Sequence, residues 1–212
     1  MTSPFSNLLI DLLPTSLTVC GAEKQIHSDF RIALLFESLM DDPEVSNEDK
    51  IVQAVELFFV DLPETKEELA ESIEQLLWFY RCGKEPNEYM KRKAEKKKDS
   101  NVKEPRIYDI NYDDDYIYAA FMQQYKINLN QIEYMHWWEF RALFKALTNE
   151  TEFVKIMEYR GMDISKDLTP EQKAHYKKMK SIYALPRPKE EQERQRSIEE
   201  ALMGNGDLSG IL

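Results

Sequence analysis

The sequence predicts a mainly α-helical fold, a helical bundle with a small N-terminal β-hairpin. Apolar residues recur at intervals of three and four along most of the chain, which is the spacing of one face of an α-helix. Typical helix-capping residues stand at the start of many of these segments. The strand-like pattern is confined to the first 27 residues, and 42% hydrophobic residues suffice for a core in a chain of 212 residues.

The N-terminal segment predicts two short strands. Residues 16–19 and 24–27 read as extended segments, and Gly21 between them is suited to a tight turn. Because an isolated two-stranded hairpin is only marginally stable in water, we expect this hairpin to pack against the rest of the protein.

Three helices are predicted next, over residues 29–41, 48–60 and 66–81. Ser28 and Asn47 are expected to cap the first two, and Thr65 with Glu68 forms the pattern of a capping box for the third. Gly83 is expected to end the third helix. The apolar positions expected to face the core are Phe30, Ala33, Leu34, Leu39, Ile51, Val55, Leu57, Phe58, Leu69, Ile73, Leu76, Leu77 and Tyr80.

The charge distribution divides the chain into segments. The net charge is −11, but residues 1–90 carry −12 and residues 91–106 carry +5. Residues 91–106 contain almost no large apolar side chain, so they predict a basic linker. We therefore expect an acidic N-terminal module over residues 1–90 and an aromatic-rich helical module over residues 107–186. Residues 187–212 are expected to form a charged helix, over residues 189–202, and a frayed tail.

Four helices are predicted in the aromatic-rich module, over residues 113–126, 131–148, 152–160 and 170–184. Asn130 and Thr151 are expected to cap the second and third, and Thr169 followed by Pro170 is a common helix start. The three aspartates at 113–115 fall at the start of the first of these helices, where carboxylates interact favourably with the helix dipole.

The composition argues against an enzyme. The chain has 6 glycines, 3 histidines and 2 cysteines, and it lacks phosphate-binding and nucleophile-elbow motifs. Glu133 and His136 have the spacing of a di-iron ligand pair, but no second such pair occurs. We therefore interpret His136 as a hydrogen-bonded core residue, and Cys82 as a small buried cysteine. No catalytic residue, cofactor or metal is expected.

The sequence also disfavours a membrane or secreted protein and a nucleic-acid-binding protein. No stretch of 18 apolar residues occurs and the N-terminus lacks a basic region, so we expect neither a membrane span nor a signal peptide, and a cytosolic location. The lysine-rich run from Lys91 to Lys98 lacks aromatic residues for base stacking, and its surroundings are acidic. A solvated linker is favoured there over a nucleic-acid site, and contact with the acidic N-terminal module is a further alternative.

The aromatic segment at residues 134–141 allows two interpretations. On the predicted helix most apolar residues form one stripe, and Trp138 lies almost opposite, beside Tyr134, Arg141 and Lys145. Core packing of a central helix is one interpretation. The other is a partner-binding patch, because aromatic and arginine side chains dominate protein interfaces. Trp78 also lies off the main stripe of its helix, so the candidate partner-binding residues are Tyr134, Trp138, Arg141, Lys145 and Trp78.

The same region resembles a known family. Residues 116–125 (YIYAAFMQQY) and 134–143 (YMHWWEFRAL) are similar to the bacteriophage "gene product fifteen" family of long-tailed phages and prophages of Gram-positive bacteria. The segments 9–14 (LIDLLP), 77–83 (LWFYRCG) and 182–186 (IYALP) also fit, so the resemblance covers about residues 8–186. The block with two adjacent tryptophans is the most specific part.

The resemblance implies a tail assembly chaperone component. Such a protein binds the tape measure protein, keeps it soluble and helps to recruit tail tube subunits, and a companion tail chaperone is a further implied partner. It acts in the cytoplasm of the host bacterium and is not expected in the mature virion. The alternatives are a structural tail component retained in the virion and a nucleic-acid-binding regulator.

Overall fold

The fold is mainly α-helical, as the sequence predicts. A computed structural model of the chain describes residues 7–84, 106–165 and 168–186. Within these residues two strands precede seven helices. The elements are β1 Ser16–Val19, β2 Ala22–Gln25, α1 Phe30–Asp41, α2 Asn47–Phe58, α3 Lys66–Tyr80, α4 Asp114–Tyr125, α5 Trp137–Lys145, α6 Glu152–Gly161 and α7 Pro170–Ile182.

The hairpin is present and packs against α3, but its second strand is Ala22–Gln25 and begins two residues before the predicted start at residue 24. β1 and β2 are antiparallel, with Ser16 opposite Gln25 and Val19 opposite Ala22. Cys20 and Gly21 make the turn with positive φ angles of 49° and 78°, a conformation that glycine adopts without strain. Val19 is completely buried, and the backbone amide of Cys20 donates a hydrogen bond of 2.8 Å to the Glu71 carboxylate on α3. The helices thus supply the packing that a lone hairpin lacks.

The helix caps are partly as predicted. Asp29 caps α1 and Ser46 caps α2, so the predictions of Ser28 and Asn47 are each wrong by one residue. In the first case the Ser28 hydroxyl is engaged elsewhere, because it lies within hydrogen-bond distance, 2.8 Å, of the Tyr134 hydroxyl. Thr65 caps α3 as predicted, accepting from the Glu68 amide at 3.1 Å.

The third helix ends close to the predicted residue. α3 ends at Tyr80, and both Cys82 and Gly83 have positive φ angles, of 59° and 67°. The amide of Gly83 donates to the carbonyl oxygen of Trp78 at 3.0 Å, which satisfies one of the free carbonyls at the end of the helix. The left-handed turn at these two residues therefore terminates the helix.

The prediction of a helix over residues 131–148 capped by Asn130 is wrong. The helix α5 begins at Trp137, and His136 is its cap. The residues before it pair with the start of α1 instead: the Phe30 amide donates to the Met135 carbonyl, and Asp29 and His136 form an isolated β-bridge. These backbone hydrogen bonds replace the helical ones, so the preceding segment stays irregular.

One hydrophobic cluster contains buried side chains from residues 17–79 and residues 117–153. α1 packs against both α2 and α5, α4 packs against α6, and α6 packs against α7. Two residues expected in the core, Ile51 and Leu77, are 43% and 38% exposed. Phe36 and Phe79 were not among the predicted core residues, but both are buried.

Four predictions lie outside the described residues. These are the linker over residues 91–106, apart from Arg106, the lysine run within it, the charged helix over residues 189–202, and the frayed tail that follows that helix. The division of the chain into two modules therefore stays a prediction. Arg106 is described, and its guanidinium forms ion pairs with Asp41 at 2.7 Å and Asp109 at 2.8 Å.

A buried ion pair joins the ends of three helical segments. Arg160 on α6 donates two hydrogen bonds to the carboxylate of Asp113, at 2.6 and 2.9 Å, and both side chains are almost completely buried. Arg160 also donates to the carbonyl oxygens of Ile107 and Tyr183, which lie before α4 and after α7. Asp113 was predicted to lie in the first turn of the helix, but α4 begins at Asp114. The Asp113 carboxylate binds Arg160 and makes no capping hydrogen bond to the helix.

Candidate functional site

The structure brings Trp138, Arg141 and Lys145 to one cavity and packs Trp78 on Trp138, but it gives the five predicted partner-binding residues very different exposure. Trp138 is 3% exposed, and its indole Nε1 donates to the carbonyl oxygen of Phe79 at 2.8 Å, so it is a core residue. Trp78 packs edge to face on Trp138, with ring centroids 5.6 Å apart. Tyr134 is 54% exposed, and its hydroxyl is 2.8 Å from that of Ser28. Core packing is therefore the interpretation that holds for Trp138, and the role of the other residues in partner binding stays a prediction.

A groove of about 680 Å³ lies between α1, α4 and α5, a size typical of pockets that hold a ligand. Its floor is mainly apolar and aromatic, and it contains Phe30, Leu34, Ile117, Leu129, Trp137, Phe140 and Phe144. Phe140 stacks on Phe30 and on Phe121, with ring centroids 4.7 and 5.0 Å apart, so the floor is continuous with the core. The groove is therefore preformed by packed side chains.

Charged side chains of both signs line the groove. Arg31, Arg141 and Lys145 are the basic residues, and Glu37, Asp114 and Asp115 are the acidic residues. Such a lining suits a partner with an apolar stripe and charged flanks, because charges at a rim contribute orientation and specificity.

Glu37 and Tyr80 hold Arg141 in place. The hydroxyl of Tyr80 donates to the Glu37 carboxylate at 2.5 Å, and the Arg141 guanidinium lies 4.0 Å from the same carboxylate. Arg141 also lies over the rings of Tyr80 and Trp137, 5.4 and 5.3 Å from their centroids, which is cation–π geometry. Burial raises the pKa of Glu37, while the Tyr80 hydrogen bond and the Arg141 charge oppose that shift.

A second cavity, of about 430 Å³, lies beside the groove. It is lined by Asn7, Leu8, Cys82, Lys84, Trp138, Arg141, Ala142 and Lys145. Arg141 and Lys145 line both cavities, so these two predicted site residues lie at the boundary between them. Arg141 and Lys145 are neighbours on α5, as the sequence predicts, although the helix begins at Trp137 and not at residue 131.

The groove floor itself was not selected as a site from the sequence. Phe30, Leu34 and Phe140 have the helical spacing of ordinary core positions, and Phe30 and Phe140 are each only 3% exposed. A helical stripe does not show which core residues border a groove. The arrangement of α1, α4 and α5 decides that. No signal in the sequence distinguishes these residues from fully enclosed ones.

His136 is buried and fully engaged. Its Nδ1 accepts from the Trp138 amide at 3.0 Å, and its Nε2 lies 3.1 Å from the carbonyl oxygen of Pro14. The Glu139 carboxylate accepts from the His136 amide at 3.2 Å, which completes a reciprocal cap of α5.

Glu133 precedes the helix, so Glu133 and His136 do not share a helical face. In the described part of the chain no three metal-ligating side chains cluster as a metal site would require.

The stability of the protein is expected to depend on the charge of His136. Burial lowers the pKa of His136 below its ordinary value of 6.5, despite opposing effects of the Pro14 carbonyl and Glu139. The unfolded chain therefore binds this proton at a higher pH than the folded protein does. The free energy of unfolding should be unaffected by this group above pH 6.5 and should decrease as the pH falls below it.

Urea denaturation between neutral and mildly acidic pH measures this dependence. His136→Asn is the matched variant, because asparagine is a good helix cap and does not titrate. Its unfolding free energy should fall less over the same pH interval than that of the wild type. Equal slopes for the two proteins would contradict the assignment.

The fold and the groove define a mainly helical protein with a large preformed apolar groove. A family model described as Bacteriophage Gp15 protein matches residues 9–185. The chain therefore belongs to this family and is a phage protein, which confirms the resemblance found in the sequence. Comparison with curated proteins and with solved structures yields no match. None of the helices in the described residues is long and apolar enough to cross a membrane.

Proposed function

We propose that this chain is a tail assembly chaperone that acts by binding and not by catalysis. Its client is the tape measure protein, which it keeps soluble while tail tube subunits are recruited. A tape measure protein presents long apolar helical stripes that would otherwise aggregate. Family membership makes this a phage protein, the resemblance in the sequence implies an assembly role, and the groove provides a surface for such a stripe.

The groove is the observation that carries the proposal. Its floor is aromatic and aliphatic, and charged side chains of both signs line it. An amphipathic helix binds such a groove through apolar residues at positions i, i+3, i+4 and i+7, with its polar face toward water. The excess of acidic residues, with a net charge of −11, favours solubility of the complex.

Co-expression with the tape measure protein of the same phage tests the proposal. The wild-type chain should raise the soluble yield of the tape measure protein, and the two should co-purify. Leu34→Asp places a charge in the apolar groove and should reduce the soluble yield to the level without the chaperone.

Leu35→Asp is the matched control, because Leu35 is the next residue of α1, is 53% exposed and does not line the groove. It should retain the wild-type effect, and circular dichroism should show that both variants are folded. Equal activity of the two variants would contradict the groove as the client site. Detection of the chain in purified virions by mass spectrometry would favour the alternative of a structural tail component.

A further inference from the structure

The N-terminal segment at residues 8–12 exposes an unusual amount of apolar surface. Leu9, Ile10 and Leu12 are 93%, 80% and 96% exposed. Single exposed aliphatic residues are ordinary, but three large ones within four positions form a patch of the kind that marks an interaction site.

The segment is held in a defined turn. The carbonyl oxygen of Asn7 accepts from the amides of Ile10 and Asp11, at 3.0 and 2.9 Å. The Asp11 carboxylate in turn accepts from the Asn7 amide at 2.6 Å. These hydrogen bonds fix the backbone that carries the three aliphatic side chains, so less conformational entropy is lost when they bind a partner.

The segment and the groove lie side by side. Leu8 lines the second cavity together with Arg141 and Lys145, and both of these cations also line the groove. An apolar projection and an apolar groove therefore share one face of the protein. A surface that contains both halves of a contact is self-complementary, which is the requirement for a two-fold symmetric dimer.

We propose that two copies of this chain form a symmetric dimer in which residues 9–12 of each copy insert into the groove of the other. Leu9, Ile10 and Leu12 are the apolar contacts, and the groove of about 680 Å³ is large enough to receive them. This inference goes beyond the proposed function and does not depend on it. It also explains how the groove is covered in the absence of a client.

The charges at the boundary of the groove support this occupant. Asp11 is the single charged residue between positions 7 and 14. Within the described residues Lys145 has no carboxylate partner in an ion pair, and Arg141 lies beside it. Arg141 and Lys145 both line this corner of the groove, so it carries positive charge that the Asp11 carboxylate of a second copy would neutralise.

The oligomeric state of the full chain tests the proposal. Light scattering coupled to size-exclusion chromatography should give a mass of about 50 kDa, twice the 25.1 kDa of one chain, that falls on dilution. The double variant Leu9→Asp/Leu12→Asp should be monomeric at concentrations where the wild type is dimeric. Because both residues are more than nine-tenths exposed, the thermal unfolding of its monomer should be unchanged.

The double variant Val60→Asp/Leu62→Asp is the matched control. It adds the same charges with similar spacing at two exposed residues, 54% and 48% exposed, that do not line the groove. It should remain dimeric, whereas Leu34→Glu, in the groove itself, should be monomeric. A monomeric wild type at all concentrations would overturn the proposal, as would a dimer that persists in Leu9→Asp/Leu12→Asp. These results are independent of any effect on the tape measure protein.

Discussion

Arg160→Ala is expected to reduce the free energy of unfolding by about 3–5 kcal/mol. The change removes the guanidinium that neutralises Asp113, a residue with no exposed surface. Asp113 would keep the hydrogen bond from the Asp109 amide, at 2.9 Å, but its charge would be buried without a counterion. The carbonyl oxygens of Ile107 and Tyr183 would also lose their donor.

A double-mutant cycle checks the cause of this loss by urea denaturation. In Asp113→Ala/Arg160→Ala neither buried charge remains, so the double variant should be destabilised by less than the sum of the two single variants. Strict additivity would contradict the ion pair as the cause. Since small domains are stable by about 5–15 kcal/mol, Arg160→Ala should also lower the midpoint of thermal unfolding markedly.

Trp138→Ala is expected to cost about 3–5 kcal/mol of stability. The indole is buried against Trp78, Phe79 and His136, with ring centroids 5.6 to 5.9 Å apart. Truncation would leave a cavity in this cluster, and the carbonyl oxygen of Phe79 would lose its hydrogen bond from Nε1. Denaturant unfolding monitored by far-ultraviolet circular dichroism measures the loss.

Tyr112→Ala is the matched control for the loss of an exposed aromatic side chain. Tyr112 is 49% exposed, so its truncation should change the unfolding free energy by less than about 0.5 kcal/mol. A similarly small effect of Trp138→Ala would show that the indole is not part of the core. The expected difference also means that Trp138→Ala is unsuited to testing partner binding, because loss of stability would mimic loss of contact.

Much of the fold was predictable because local signals agree with the tertiary structure. Thr65 and Thr169 cap helices as expected, and Thr169 does so in a reciprocal arrangement with Gln172. The start of α5 was not predictable in this way. Asn130 is a good capping residue, but the amides and carbonyls of the residues that follow it find partners in α1 and in the segment before it.

Arg31 shows how long-range hydrogen bonds replace the helical ones in this segment. Its guanidinium donates to the carbonyl oxygens of Leu129 and Ile132, at 2.9 and 2.8 Å, about a hundred residues away in the chain. The Asp29 carboxylate likewise accepts from the Met135 amide at 3.2 Å. These long-range hydrogen bonds hold residues 129–135 in an irregular conformation that local propensity does not encode.

The candidate site was likewise predictable from the sequence only in part. The sequence identified Arg141 and Lys145 as neighbouring cations beside an aromatic cluster, because residues four apart on a helix share a face. It could not decide whether Trp138 faces solvent or the core, since that depends on the position of α3, whose residue Phe79 accepts the indole hydrogen bond.

The sequence by itself determined the helical class, the N-terminal hairpin, most helix bounds and membership of the phage family. These follow from local periodicity, capping residues and short motifs, all of which act over a few neighbouring residues. The tertiary structure decided where α5 begins, which tryptophan is buried, and that α1, α4 and α5 leave an apolar groove between them. These features depend on hydrogen bonds and packing between residues distant in the chain, and local patterns do not contain that information.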